Sequence, residues 1–167
     1  QLSGGMRQRV CIAMALATDR HLLLADEPTT SLDVTIQEQI LHLIHKLSVE
    51  KDMSLVLVTH SMGVIREMTD RVSIMYAGTV MEVGNTKDVL ENPSHPYTKA
   101  LIDCIPKLTG DGVAEGIPGR VPDYLNPPKG CRYVDRCPKA TAVCREEKPQ
   151  LVDCGTDHKV ACHNFGR

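Results

Sequence analysis

Apolar residues recur along the first part of the chain at two alternating periods. Met6, Val10, Ala13, Met14 and Ala17 return every third or fourth position, which predicts a helix from Ser3 to about Asp19, capped by Ser3, with that set as its apolar face. Leu22-Leu23-Leu24-Ala25 is instead an unbroken apolar run closed by Asp26-Glu27-Pro28, and such a run predicts a strand buried on both faces of a parallel sheet. Ile36, Ile40, Leu43, Ile44 and Leu47 restore the helical period, and Leu55-Val56-Leu57-Val58-Thr59-His60 gives a second buried strand. Strand, helix and strand at these lengths form a βαβ unit with a right-handed crossover, so the expected fold class is α/β.

Further along, Met62 to Met68 reads as a helix and Arg71 to Tyr76 as a strand. Ala77-Gly78 turns the chain into a second strand, Thr79 to Val83, ending at Gly84, which together make a hairpin. Thr86 is expected to cap a short helix through Leu90, and Pro96 opens a longer one reaching Ile105. Beyond Pro106 the pattern fails: prolines and glycines crowd residues 110–130 and no periodic apolar face survives. A boundary is therefore expected near Pro106, with residues 107–167 forming a linker and a small, irregular, Cys-rich module that has no core of its own. No internal repeat or low-complexity tract appears.

Composition narrows the function classes. The chain has 167 residues, 42% of them hydrophobic, and 19 basic against 21 acidic residues give a formal net charge of −2. That balance offers no basic footprint for nucleic acid. Aromatics are 3% of residues, with no Trp and one Phe, so the core must be largely aliphatic. No apolar run approaches the roughly 20 residues needed to span a bilayer. The opening Gln1-Leu2-Ser3-Gly4-Gly5 has neither an initiator Met nor a signal-peptide pattern, and reads as the start of a piece cut from a longer chain. Seven cysteines are unevenly placed: Cys11 and Cys104 lie in apolar helical surroundings, and the other five follow from Cys131 onward. An odd total with no export signal argues for a metal or iron–sulfur site in a reducing compartment over a disulfide framework.

Three places carry candidate chemistry. Ser3, Gly4 and Gly5 put a hydroxyl and two unhindered amides at a helix N-terminus, which suits a phosphate, although the same residues also make an ordinary cap and turn. Asp26 and Glu27 end a buried strand, where ligands gather in open parallel sheets. Adjacent strand residues face opposite ways, so Asp26 suits Mg²⁺ and Glu27 suits the activation of an attacking water, against the plainer reading of a solvated acidic strand end. His60, after the second strand, falls on the same sheet edge and can contact a γ-phosphate or serve only the structure.

These residues resemble a known family. Leu2-Ser3-Gly4-Gly5-Met6-Arg7-Gln8-Arg9-Val10 is similar to the ABC-transporter signature, Leu22 to Glu27 to its Walker B strand with the catalytic glutamate, Ser31-Leu32-Asp33 to the D-loop, and Thr59-His60 to the switch histidine. The string from Asp26 to Thr35, together with Asn92-Pro93-Ser94-His95-Pro96-Tyr97-Thr98, resembles the oligopeptide/dipeptide importer branch. The resemblance implies a partial P-loop NTPase (ABC ATPase) parallel sheet with flanking helices over residues 1–106, binding ATP and Mg²⁺. Asp26 would assist Mg²⁺, Glu27 would activate the hydrolytic water and His60 would sense the γ-phosphate. Ser3, Gly4 and Gly5 would contact the nucleotide bound by an opposite subunit, and Asp33 of the D-loop counts among the nucleotide-binding residues. The implied partners are a second ABC ATPase subunit, identical or homologous, and a membrane permease on whose cytoplasmic face the subunit docks peripherally to energise uptake of peptides or related small solutes. Met6 stands where the general signature has Gln, as in the peptide branch, and Ser61 where Asp is frequent. No Gly-x-x-x-x-Gly-Lys-Ser/Thr occurs, so the chain by itself is expected not to hydrolyse ATP. Sheet faces and strand edges that the missing segment would cover are expected to be exposed.

The cysteine pattern Cys131-x5-Cys137-x6-Cys144-x17-Cys162 supplies four thiols, the ligand count of an iron–sulfur cluster or of an all-Cys zinc site. Tight Cys-x2-Cys pairs are absent, which weakens zinc, and unligated or disulfide-linked thiols are the remaining alternative. The run from Gly130 to His163 resembles the C-terminal extension of peptide-importer ATPases, some of which carry a [4Fe–4S] cluster there. The resemblance thus implies Cys131, Cys137, Cys144 and Cys162 as structural ligands of a [4Fe–4S] cluster, zinc being the alternative, with Cys154 a bystander and His158 and His163 substitute ligands. A non-catalytic metal-binding or regulatory module that keeps the ABC dimer surface is the contrasting function.

Overall fold

The structure, a computed structural model, describes residues 2–18, 20–105 and 116–166. Its contacts divide the chain into two compact units, residues 1–61 and 62–167. The expected boundary near Pro106 lies outside the described residues.

The first unit contains α1 (Gly4–Ala15), β1 (Leu22–Asp26), α2 (Val34–Glu50) and β2 (Ser54–Val58). β1 and β2 pair in parallel, from Leu22 opposite Ser54 to Asp26 opposite Val58, with α2 as the crossover the sequence predicts. Ile12 of α1 meets Ile40 and Ile44 of α2, and Leu23 and Leu55 add to this core from the sheet. The hydrophobic core of this unit is made of Ile and Leu side chains.

Two expectations are corrected here. The predicted apolar face of α1 is exposed, with Met14 at 72%, Met6 at 50% and Val10 at 47%. The side chain that α1 buries is Ile12, with Gly4, Gly5, Gln8 and Leu16 partly covered on the same face. Glycine carries no hydropathy signal, yet its missing side chain is what lets this face approach α2 closely. Likewise β1 and β2 are not buried on both faces: Leu23 and Leu55 turn toward the helices, whereas Leu22, Leu24, Val56 and Val58 are exposed. An unbroken apolar run states that both faces are apolar, not that both are covered.

The second unit contains α3 (Met62–Met68), β3 (Arg71–Tyr76), β4 (Thr79–Asn85), α4 (Thr86–Glu91), α5 (Pro96–Asp103), a single 3-10 turn (Val134–Arg136), α6 (Ala142–Glu146), β5 (Val152–Gly155) and β6 (His158–Val160). Ala77 and Gly78 both take positive φ, 46° and 74°, as a two-residue hairpin loop requires. Asn85, not Thr86, caps α4, accepting from the Lys87 amide at 3.0 Å. The Thr86 hydroxyl instead meets that of Thr69 at 3.0 Å.

The tail also departs from expectation. It is not an irregular appendage: β5 and β6 join β3 and β4 in a four-stranded antiparallel sheet of order β3-β4-β6-β5. Nor does it lack a core, because Cys131, Tyr133, Val134 and Cys144 pack with Tyr76 and Met81 of the hairpin. The Arg136 guanidinium lies over the Tyr76 ring at 5.8 Å and donates to its hydroxyl at 3.1 Å and to the Pro118 carbonyl at 2.8 Å. These contacts tie residues widely separated in sequence, which no local period reports.

At the centre of this unit lies a fully buried carboxylate. Glu82 of β4 accepts from the Ser94 amide at 2.7 Å, the His95 amide at 2.9 Å and His158 Nε2 of β6 at 2.7 Å. His95 in turn caps α5, its Nδ1 accepting from the Tyr97 amide at 2.9 Å. Burial pushes the His95 imidazole down to about 4, against the pull of Glu82, so the cap keeps its neutral acceptor at pH 7. Glu82→Ala would strand His158 and the Ser94 and His95 amides and is expected to destabilise this unit by about 3–5 kcal/mol. All four tyrosines belong to residues 62–167. Their near-ultraviolet circular dichroism in a denaturant titration therefore reports this unit selectively and checks the value.

Candidate functional site

The site is built from the C-terminal ends of β1 and β2. The Glu27 amide donates to the Val58 carbonyl at 2.9 Å, carrying the parallel ladder one residue past Asp26. Glu27 then takes a positive φ of 45°, which turns the chain sharply out of the sheet. Thr29 is buried and its hydroxyl accepts from Gln37 Nε2 of α2 at 2.9 Å, so the turn is fastened to the crossover helix. Two residues beyond β2, His60 Nδ1 lies 2.7 Å from Glu27 Oε1, while the Thr30 hydroxyl donates to Glu27 Oε2 at 3.1 Å. The hydrogen bond from His60 is the main influence holding the Glu27 carboxyl below the usual range; partial burial opposes it and Thr30 supports it. Glu27 is therefore an ionised acceptor at neutral pH.

Asp26, last in β1, is exposed beside this pair. One exposed carboxylate at a strand end fits Mg²⁺ in a nucleotide site, where the ion takes one or two carboxylates together with phosphate oxygens and water. No cluster of protein ligands is needed for that role.

The remaining nucleotide candidates occupy a neighbouring part of the same unit. Ser3 Oγ accepts from the Met6 amide at 3.3 Å and caps α1, while Asp33 Oδ1 accepts from the Ile36 amide at 3.0 Å and caps α2. A Cβ on Gly5 would stand 2.7 Å from Ile36 Cγ2, and one on Gly4 3.2 Å from Leu32 Cδ2. Both glycines are thus pressed against the segment that holds Asp33, and packing alone demands their small size. The sequence signal for this second role was the small-residue pair itself, read there as access for a ligand or as an ordinary cap and turn. Thr30 is the residue that sequence reasoning passed over; its place three residues after a strand-end glutamate, where a tight turn returns a hydroxyl to the carboxylate, was the available signal.

In the second unit Cys131 and Cys144 are buried and Cys137 and Cys162 partly so. Burial pushes the Cys131 thiol up to about 11, and the neighbouring Cys144, Cys137 and Cys162 add to the rise. The four expected ligands thus share one locality. They do not form a ligand shell as placed: among the described residues no three His, Cys, Asp or Glu side chains stand in a metal-holding arrangement. The substitute ligands are committed elsewhere, His158 to Glu82 and His163 Nε2 to the Glu147 carbonyl at 2.9 Å.

Comparison with known proteins bears on this geometry. Residues 1–30 match the model of the ABC transporter family, and residues 81–144 match that of the oligopeptide/dipeptide transporter, C-terminal region. A solved inward-facing structure of a metal-chelate type ABC transporter is 32% identical, with a TM-score of 0.50, over 53% of this chain and 35% of that one. Strand-end carboxylates, a capped glycine turn and these likenesses define an ATP-binding-cassette protein. The dipeptide transport ATP-binding protein DppD of Bacillus subtilis is 46% identical over 97% of this chain, and DppD of Haemophilus influenzae 48% identical over 98%. The chain spans about half the length of these curated relatives, 49% of each. It belongs to the ATP-binding protein family of oligopeptide/dipeptide-type ABC transporters.

The glycine contacts give a test of sign. In an open helix Gly→Ala gains about 1 kcal/mol, but overpacking against a stiff β-branched neighbour costs about 1–3 kcal/mol. Gly5→Ala is therefore expected to lower the stability of the first unit, and adding Ile36→Ala, which removes the clashing methyl, to recover helical signal lost from the far-ultraviolet spectrum of the single variant.

Proposed function

We propose that this chain forms part of the ATP-binding, ATP-hydrolysing subunit that energises uptake of peptides or related small solutes through an ABC transporter. The observation that carries the reading is the Glu27–His60 pair, 2.7 Å apart at the C-terminal ends of parallel strands in a chain of this family. Glu27 orients the attacking water and accepts its proton as the water oxygen bonds to the γ-phosphorus and the bond to the ADP bridging oxygen breaks. His60, held through Nδ1, leaves Nε2 for a γ-phosphate oxygen. Mg²⁺, held by Asp26 and phosphate oxygens, supplies neutralising charge when bound. Ser3, Gly4 and Gly5 offer a helix N-terminus to the nucleotide of an opposite ATPase subunit, identical or homologous, with Asp33 on the adjoining segment.

The subunit works with a membrane permease, docked peripherally at the cytoplasmic face. Its relatives are dipeptide transport ATP-binding proteins, which supports a role beside a transporter. Among the described residues no helix is long and apolar enough to cross a membrane. In the natural subunit assembled in its transporter, Glu27→Gln is expected to lower ATP turnover about 100-fold or more while nucleotide still binds. Unchanged turnover would overturn the reading.

We further propose that Cys131, Cys137, Cys144 and Cys162 hold a [4Fe–4S] cluster of structural role, with zinc as the alternative occupant. The donor chemistry supports it, since four thiols of one locality match the ligand count. Arg132, next in the chain to Cys131, also keeps Nη1 buried without a hydrogen-bond partner, an open donor beside one of the four cysteines in sequence. No step of hydrolysis passes through this group. Anaerobic purification of the natural subunit is expected to give about four iron and four labile sulfide per chain, reduced by Cys131→Ser. Zinc in their place selects the alternative, and neither metal, or a content unchanged by Cys131→Ser, rejects the site.

A further inference from the structure

The Glu27–His60 pair has an unequal anchorage. The His60 side chain is 85% exposed, so its contact with Glu27 is what positions it, and the ring cannot act as the rigid member of the pair. The rigid member is the turn from Glu27 to Leu32. There the Thr30 amide donates to the Glu27 carbonyl at 3.1 Å and the Leu32 amide to the Thr29 carbonyl at 3.2 Å. Buried Thr29 is fastened to Gln37 of α2. Thr30 stands on this braced backbone and sends its hydroxyl to Glu27 Oε2, the oxygen that His60 does not use.

We infer that Thr30 is a positioning residue for hydrolysis, fixing the plane of the Glu27 carboxylate through Oε2 and, by way of Oε1, the place of His60. The inference rests on the reading of Glu27 as the residue that handles the attacking water. A carboxylate held at one oxygen turns about its terminal bond, and a partner as exposed as His60 turns with it. Held at both oxygens by groups on separate strand ends, it keeps one orientation toward a water that must attack in line. Such orientation is needed in the transition state and contributes little to nucleotide affinity, so its loss falls on kcat.

The test uses the natural subunit assembled in its transporter. Thr30→Val, which keeps shape and loses the hydroxyl, is expected to lower kcat for ATP about tenfold with KM changed less than twofold, and Thr30→Ser to restore it. In a Glu27→Gln background, Thr30→Val is expected to add no further loss. Equal loss in Thr30→Val and Thr30→Ser, a change confined to KM, or an additive double variant would overturn the inference. Full turnover in Thr30→Val with turnover abolished in Glu27→Gln overturns the inference alone. Full turnover in Glu27→Gln overturns the functional reading and the inference with it.

Discussion

The candidate site depends on one backbone hydrogen bond, from the Glu27 amide to the Val58 carbonyl. It extends the parallel ladder one residue beyond the register that pairs Asp26 with Val58, and so fixes where the chain leaves the sheet. Because the strands are parallel, both leave at the same end, which brings a glutamate just past β1 and a histidine just past β2 within 2.7 Å. An antiparallel pair would have sent them to opposite ends. The crossover that parallel pairing requires is α2, and α2 in turn holds the departing turn through Gln37 and Thr29. Topology, turn and carboxylate orientation are therefore consequences of a single arrangement.

The second unit places its carboxylate by the opposite strategy. Glu27 sits at a strand end, partly open, with a low-affinity proton and partners that leave it reachable. Glu82 is sealed inside, its oxygens taken up by two amides and an imidazole from two separate segments. A buried carboxylate is tolerated only when so satisfied, and the same requirement makes it an organiser. It holds the loop before α5 against β4 and draws β6 alongside. The short strands β5 and β6 are too brief and too polar to pair on their own merits.

That contrast explains what was legible in the sequence. The caps Ser3 and Asn85, the hairpin turn at Ala77-Gly78 and the alternation of strand and helix are decided by residues within a few positions of one another, and all but the choice of Asn85 over Thr86 could be read directly. Glu27 and His60 could also be placed on one sheet edge, because parallel topology follows from element lengths. Hidden were the features set by distant partners. Val152 to Val160 shows no apolar period, since its pairing is specified by a carboxylate in β4. The working face of α1 was missed because its closest contacts are made by glycines, whose contribution is the absence of atoms. The four cysteines are a different case: sequence spacing brought four thiols to one locality but says nothing of their final separation.

Segregation of side-chain types completes the argument. Every Phe and Tyr lies in residues 62–167, where the rings of Tyr76, Tyr97 and Tyr133 meet in tilted and edge-to-face contacts with centroids 4.6–5.3 Å apart. Residues 1–61 have none and rely on branched aliphatics and a two-stranded ladder, which alone is a marginal sheet. The residues proposed for hydrolysis thus lie in the more lightly built unit. The turn after its first strand is tied to the crossover helix through Gln37 and Thr29, so changes at Thr29, Thr30 or Gln37 bear on the segment that holds the carboxylate. Changes among the tyrosines act on the stability of a unit that contains none of the residues assigned to hydrolysis.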